Sequence, residues 1–409
     1  MNHGRRISTR ARAARAGAAV LASLLVHASG AAAAPARPVC PEPARGHAAC
    51  LSYVMPGMRG AAADTPLPVG YGPAQFHGGY VLGTEAPIAQ TIAIVDAYDD
   101  PTIRQDLTTY DTTYGIPDLP TCTATLTTSC LLQVNQRGEA SHLPVAQSGW
   151  DLEISLDVET AHELCQNCKI DLVEAKNSSL ANLDAAELEA VKLGATEISN
   201  SWGSFTEPLR EVVVNAAFDH PGIAVVAASG DNGFRRFGFP ASSPDVIAAG
   251  GTTLHLTGSA GGYSWSGEES WSGSGSGCSR YFTAQPWQPL ASGWASSLCG
   301  NKRGVADVSA DANPETGAAV YDSNGYEGQS GWFQVGGTSL SSPIIASVYA
   351  LAGNAASVEF PASLPYANVS HLHDVTTGPA TGTCLIACRP RVGYDTPTGL
   401  GSPIGTAAF

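Results

Sequence analysis

An α/β fold with a mostly parallel sheet and helices on both faces is what this chain predicts, on two observations. From about residue 86 onward, short apolar runs alternate with helical patterns, the arrangement that buries a parallel sheet between helix layers. The first of those runs, Thr91-Ile-Ala-Ile-Val-Asp96, is apolar until it ends in an acid, and ligands of such sheets bind at the carboxyl ends of strands. In order, Thr91 to Asp96 is read as a strand and residues 150 to 164 as a helix. Lys169 to Val173 follows as a strand and Asp184 to Leu193 as a helix with Glu and Lys on its outer face. Thr196 to Ser199 is a strand, Pro208 to Phe218 a helix, Ile223 to Ala228 a strand and Val246 to Ala249 a further strand. Residues 257 to 279 are rich in Gly, Ser and Trp. Two tryptophans and a flanking cysteine point to a packed loop beside a cleft rather than a linker. No internal repeat is present.

The first 34 residues have the form of a secretory signal. Arg5, Arg6, Arg10, Arg12 and Arg15 precede an apolar run from Ala18 to Val26, and small residues follow up to Ala34. The run is too short to span a bilayer, so the mature chain is expected to be secreted and free of membrane. Arg5-Arg6 lacks the surrounding pattern of twin-arginine export. Residues 35 to 67, rich in Pro and Ala, read as an N-terminal extension or short pro-segment, and residues 68 to 409 as the main domain. The full chain carries 21 basic and 36 acidic residues. Without the signal, five basic residues fewer, its charge is 16 − 36 = −20. Nucleic acid and anionic membrane are therefore excluded as natural partners. A surface with few Lys and Arg gains little positive charge in acid, which favours tolerance of low pH.

Ten cysteines fall into close pairs: Cys40/Cys50, Cys122/Cys130, Cys165/Cys168, Cys278/Cys299 and Cys384/Cys388. In an oxidising compartment the simplest expectation is five local disulfides.

Three segments carry chemistry. Gly336-Gly-Thr-Ser339-Leu-Ser-Ser-Pro343 delivers a serine by a small-residue turn to the start of an apolar helix, Ile344 to Leu351. The positive end of a helix dipole stabilises developing negative charge there. In Trp150-Asp-Leu-Glu153-Ile-Ser-Leu-Asp157 two carboxylates four apart lie on one helix face, so that one can hold a proton while the other accepts. Ile223-Ala-Val-Val-Ala-Ala-Ser-Gly-Asp231-Asn-Gly runs a strand into a turn and sets Asp231 at the sheet edge. A protonated carboxyl can donate a hydrogen bond there as an amide does.

Gly-Thr-Ser-x-x-x-Pro resembles the nucleophile segment of subtilisin-type serine peptidases, which pair it with a histidine in an His-Gly-Thr context. This chain has none in a usable place. His77-Gly-Gly precedes Asp96, and His142, His162, His220 and His255 are not followed by Gly-Thr. With Glu153 and Asp157 in place of histidine and Asp231 in place of the oxyanion asparagine, the chain resembles the sedolisin family of serine-carboxyl peptidases. The resemblance runs over roughly residues 70 to 409. It includes Ser201-Trp202-Gly203, Ser229-Gly-Asp231-x-Gly233, Pro240-Ala-Ser-Ser-Pro244 and Gly250-Gly-Thr-Thr253.

The resemblance implies a subtilisin-like fold and a monomeric enzyme that hydrolyses polypeptides, acting as an acid-active endopeptidase. Ser339 would be the nucleophile, Glu153 its base, Asp157 the partner of Glu153, and Asp231 an oxyanion donor beside the Ser339 N–H. Ser201, Trp202 and Gly203 would lie along the substrate backbone. It also implies one structural Ca²⁺, with carboxylates from Asp374 and Asp395 and carbonyls from Val375, Arg391 and Gly393. Arg391 stands where glycine is usual in the family, which keeps the carbonyl but adds a cation. The large prodomain usual in the family has no counterpart among the 35 to 50 residues that separate the signal from the domain. A secreted, non-catalytic binding protein on a peptidase scaffold is the alternative.

Overall fold

A computed structural model describes residues 1–4, 35–57, 67–207, 215–259 and 262–409. The signal-like stretch therefore lies outside the described residues except at its first four positions. So does the expected helix at 208 to 218, of which Asn215–Ala217 is described as a 3₁₀ turn. The following concerns the unit from Pro35 to Phe409.

Short paired strands open the chain at Arg37–Pro38 (β1), Ala49–Cys50 (β2) and Tyr53–Val54 (β3). Next come helix Pro73–Tyr80 (α1), strand Thr91–Ala97 (β4), helix Ile103–Tyr114 (α2) and strand Leu131–Asn135 (β5). Helix Ser148–Leu164 (α3), strand Lys169–Ala175 (β6), helix Leu180–Leu193 (α4) and strands Glu197–Asn200 (β7) and Trp202–Gly203 (β8) follow. Strands Ala224–Ala228 (β9), Ile247–Ser259 (β10), Gly262–Ser270 (β11), Gly277–Thr283 (β12), Lys302–Val305 (β13), Val308–Asp311 (β14), Ala318–Tyr326 (β15) and Gln329–Gly336 (β16) lead to helix Thr338–Ala352 (α5).

The central sheet has eight strands in the order β11-β10-β9-β7-β4-β6-β5, with β14 also on β10. Every neighbour pair is parallel except β10 with β11. This is the expected mostly parallel sheet. β4 is buried from Ile92 to Ala97, Asp96 included, because helices cover both its side-chain rows. α4 packs on β4 and β6, while α3 and α5 pack on one another, α3 against β4 and α5 across β4, β7 and β9.

α3 begins where Gln147 caps it, its side chain accepting from the Gly149 and Trp150 N–H groups. It is not amphipathic. Residues 149 to 164 are all buried, so its acids face protein on every side. The Gly/Ser/Trp-rich stretch forms hairpin strand β11 and a buried turn at Trp271, not a linker. All five disulfides pair as expected.

Candidate active site

Ser339 is the second residue of α5, and Gly337 caps the helix from a left-handed φ of +100°. A Cβ at Gly337 would lie 2.3 Å from the Leu51 carbonyl oxygen and 2.8 Å from Asp231 Oδ2, so only glycine fits. The Ser339 N–H is one of the donors that a helix start leaves without an intrahelical acceptor. It donates to the Leu51 carbonyl at 2.9 Å. Pro343 has no N–H to return to the Ser339 carbonyl four residues back. The Ser201 hydroxyl donates to that carbonyl instead, at 3.1 Å. The Ser339 hydroxyl donates to the Ser201 carbonyl at 2.9 Å and accepts from the Leu51 N–H at 3.0 Å.

Glu153 and Asp157 come together on α3, as their spacing predicts. Asp96, at the end of β4, joins them. All three are fully buried, and none of their six carboxylate oxygens meets a hydrogen-bond donor in bonding geometry. Burial pushes Glu153 up to about 8, the nearby Ser339 and Ser52 hydroxyls pull it back, and the charge of Asp231 raises it. Asp157 is driven well above the carboxylate range by burial, then by Asp96 and Glu153, and the Ser201 hydroxyl lowers it. Asp96 is raised by burial and by Glu153. Three carboxyls in one dry space cannot all ionise. Asp96 was legible as a strand-end acid, but only the fold places it beside α3.

Asp231 follows β9. Its Oδ1 accepts from the Thr338 N–H and hydroxyl, both at 2.8 Å, and the same hydroxyl accepts from the Gly230 N–H at 3.0 Å. Oδ2 is buried and bare. Burial raises the carboxyl to about 7 against the lowering effect of Thr338. With Oδ1 saturated, a proton belongs on Oδ2, on the side where the Leu51 carbonyl lies.

β2 pairs antiparallel with β8, setting Ala49 opposite Gly203 and Cys50 opposite Trp202. Ser201, Trp202 and Gly203 thus present backbone to an extended chain. The Trp202 side chain belongs to the core: fully buried, it donates from Nε1 to the Val95 carbonyl at 2.9 Å. A cavity of 210 Å³ beside this contact is lined by Cys40, Glu42, Leu51, Phe205, Asp231 and Asn232.

The C-terminal loop gathers the five remaining predicted residues. Asp395 Oδ2 accepts from the Arg391 N–H at 2.6 Å, and Oδ1 from the Thr398 N–H and hydroxyl, each at 3.0 Å. Asp374 accepts from the Gly393 N–H at 2.8 Å. The Val375 carbonyl receives one long bond from Thr398, at 3.4 Å. The Asp374 charge reaches Asp395, and neither carboxylate is ion-paired with a described residue. Two adjacent unpaired carboxylates with backbone carbonyls beside them suit a hard cation. Among the described residues no group of three or more His, Cys, Asp and Glu side chains is poised for a metal, so such a site would depend on the carbonyls.

His77, His162 and His220 are engaged elsewhere. His77 bonds the Glu163 carbonyl and His162 the Pro117 carbonyl, each at 2.9 Å, and His220 bonds the Ala217 carbonyl at 2.7 Å.

Residues 156–368 match the family described as "Subtilase family", just over half of the chain. Sedolisin from Pseudomonas sp. (strain 101) is 29% identical, over 81% of this chain and 60% of its own length. Kumamolisin from Bacillus sp. (strain MN-32) is 32% identical, over 63% of this chain and 50% of its own. The chain thus spans about half to three-fifths of these relatives. The solved Pseudomonas sedolisin, described as a serine-carboxyl proteinase complexed with two molecules of pseudo-iodotyrostatin, superposes with a TM-score of 0.65 at 27% identity. That match covers 82% of this chain and 95% of the other. The chain belongs to the subtilase family and is similar to the sedolisins.

Proposed function

We propose that this chain is an exported, monomeric, acid-active serine-carboxyl endopeptidase. One observation carries the reading: a peptide carbonyl rests on the Ser339 N–H beside the bare oxygen of Asp231, and the titratable groups around Ser339 are carboxyls. Ser339 Oγ attacks a substrate carbonyl carbon while Glu153 takes its proton. Asp157 and Asp96, themselves held protonated by burial, keep the charge of ionised Glu153 tolerable. The Ser339 N–H and a protonated Asp231 Oδ2 receive the oxyanion. Glu153 then protonates the leaving amine, and water repeats the sequence on the acyl-enzyme.

Catalysis needs Glu153 ionised and Asp231 protonated. With residues 49 to 54 over it, Glu153 stands at about 8. An open cleft readmits water and lowers it toward the ordinary carboxylate range, so both states coexist in acid. Export is supported by the basic-then-apolar start and the five disulfides. Asp374 and Asp395, with the carbonyls of Val375, Arg391 and Gly393, would hold Ca²⁺, which would supply a cross-link within the C-terminal loop. A pH–rate profile on a peptide library with Ser339→Ala as control tests the reading. Hydrolysis at pH 3–5 that Ser339→Ala abolishes is expected. Cleavage undiminished at pH 7–8, or surviving in Ser339→Ala, overturns it.

A further inference from the structure

The cleft over Ser339 is filled by the chain's own residues 48 to 55. On one side of Leu51, the Ala48 N–H donates to the Ser178 carbonyl at 2.8 Å and β2 pairs with β8. The Leu51 N–H donates to the Ser201 carbonyl at 3.1 Å, and its carbonyl accepts from the Ser339 N–H at 2.9 Å. On the other side, β3 pairs antiparallel with β16, setting Tyr53 opposite Gly336 and Val54 opposite Val335. The Met55 N–H donates to the Gln334 carbonyl at 2.9 Å. The chain thus crosses the site as an extended strand, and the Leu51–Ser52 bond is the one presented to the nucleophile.

The strand is also braced from behind. The Cys40–Cys50 disulfide closes a loop that brings β1 back to pair with β3. The Val39 N–H donates to the Ser52 carbonyl at 2.9 Å, and the Tyr326 hydroxyl donates to the Val39 carbonyl at 3.1 Å. Residues upstream of Leu51 therefore hold residues downstream of Ser52. A bond cut between them would leave its two ends in place.

We infer that Leu51–Ser52 is this chain's own cleavage site, and that residues 35 to 51 are a disulfide-closed self-inhibitor occupying the substrate cleft until that bond is cut and the fragment leaves. The inference rests on the peptidase reading above. Ser339 Oγ bonds to the Leu51 carbonyl carbon and its proton passes to Glu153. The Leu51–Ser52 C–N bond breaks and the Ser52 nitrogen takes the proton from Glu153. Water then gives a proton to Glu153 and its hydroxyl to the Leu51 acyl carbon, the bond from that carbon to Ser339 Oγ breaks as Glu153 returns the proton to Oγ, and Leu51 is left as a C-terminal carboxyl. Until the fragment dissociates, the Ser52 amine stays beside the acyl group, so resealing competes with hydrolysis and slows the cut. The burial that raises Glu153 in the covered cleft slows it further.

Three arms test this on the full-length chain at pH 4, each read by intact mass and by hydrolysis of an unrelated peptide. The wild-type chain should acquire Ser52 as its N-terminus, and Ser339→Ala should not. Ser52→Pro removes an N–H that bonds no described residue. It should leave the chain uncut at this bond and about tenfold or more slower on the unrelated peptide, since a tethered segment competes at roughly millimolar effective concentration. A synthetic peptide of residues 35 to 51 with the disulfide closed should inhibit the cut enzyme, and its Cys50→Ala version about tenfold more weakly for want of preorganisation. The peptide arm does not depend on any variant folding. A different N-terminus with the unrelated peptide still hydrolysed overturns this inference alone, as does full activity in uncut Ser52→Pro. No hydrolysis of any peptide by the cut chain overturns the peptidase reading as well.

Discussion

Around Ser339, Glu153, Asp157 and Asp96 bring together six buried carboxylate oxygens that meet no donor in bonding geometry. In the C-terminal loop, by contrast, Asp395 alone accepts three hydrogen bonds, two of them from backbone N–H groups. Both regions crowd negative charge, and the means of relief differ. Glu153, Asp157 and Asp96 meet apolar neighbours, one another and a few hydroxyls out of bonding geometry, so protons must neutralise most of their charge. The loop turns N–H groups toward its acids, which lowers them against the burial that raises both, Asp395 to about 7, and so favours the anions a cation would take. The first arrangement suits proton transfer and the second suits coordination by oxygen.

The largest effect expected from this contrast is on turnover. Glu153→Gln keeps the shape but cannot take a proton. Its kcat on a peptide substrate should fall about 10²- to 10⁴-fold, while its melting temperature holds or rises because a buried ionisable group has gone. Turnover near wild type would make the cluster structural only.

Asp231→Asn separates proton occupancy from geometry. Wild-type activity should fall as pH rises through about 7, where Asp231 loses the proton it donates. Glu153 from α3 and Tyr53 from β3 face it, and both feel its charge. An amide donates at every pH, so the variant should retain a larger fraction of its own maximum at pH 8 than the wild type does. Identical alkaline limbs in the two pH–rate profiles would remove Asp231 from the oxyanion site.

How much of this contrast was legible follows from contact range. The pair Glu153 and Asp157 is local, one helical turn apart, and Ser339 lies within one turn-to-helix motif, so both were readable. Asp96 reaches them only through the packing of β4 under α3. The complete burial of α3 was hinted by Leu152, Ile154, Leu156, Val158 and Ala161, which leave no polar face, but two acids at i and i+4 look the same on an exposed helix. The placement of residues 48 to 55 in the cleft was not readable. Its strands are two residues long, its composition carries no period, and its partners in the cleft lie more than 100 residues away. The Cys40/Cys50 pair was the one signal that this stretch is ordered. β11 was hidden by glycine and serine, although Tyr263, Trp265 and the Gly267-to-Ser270 stretch pair regularly with β10.

Carboxyls raised by burial extend beyond the cluster around Ser339. Burial raises Glu163, Glu187 and Glu197 each to about 8 and Glu174 to about 10. A carboxyl whose folded pKa is raised holds its proton in the fold after the unfolded chain has lost it. Between the unfolded value near 4.5 and these folded values, the native state binds more protons, so stability falls as pH rises. Thermal melts should show a melting temperature roughly 10 °C higher at pH 4.5 than at pH 8. A flat or rising trend would mean that these acids are ionised in the fold.

The loop should respond in the opposite currency, cations rather than protons, and more weakly. A Ca²⁺ bound to the fold alone, at about a hundred times its dissociation constant, adds about 2.7 kcal/mol. Adding a chelator at fixed pH should therefore lower the melting temperature by several degrees, and Asp395→Asn should remove most of that response. Arg391 adds a cation to the loop where the proposed site would use only its carbonyl, so Arg391→Gly should strengthen the calcium response. Glu153→Gln should leave the response untouched, because none of the proposed Ca²⁺ ligands lies on α3. A chelator effect that Glu153→Gln abolishes and Asp395→Asn preserves would place the cation among the catalytic acids and erase the distinction between the two regions.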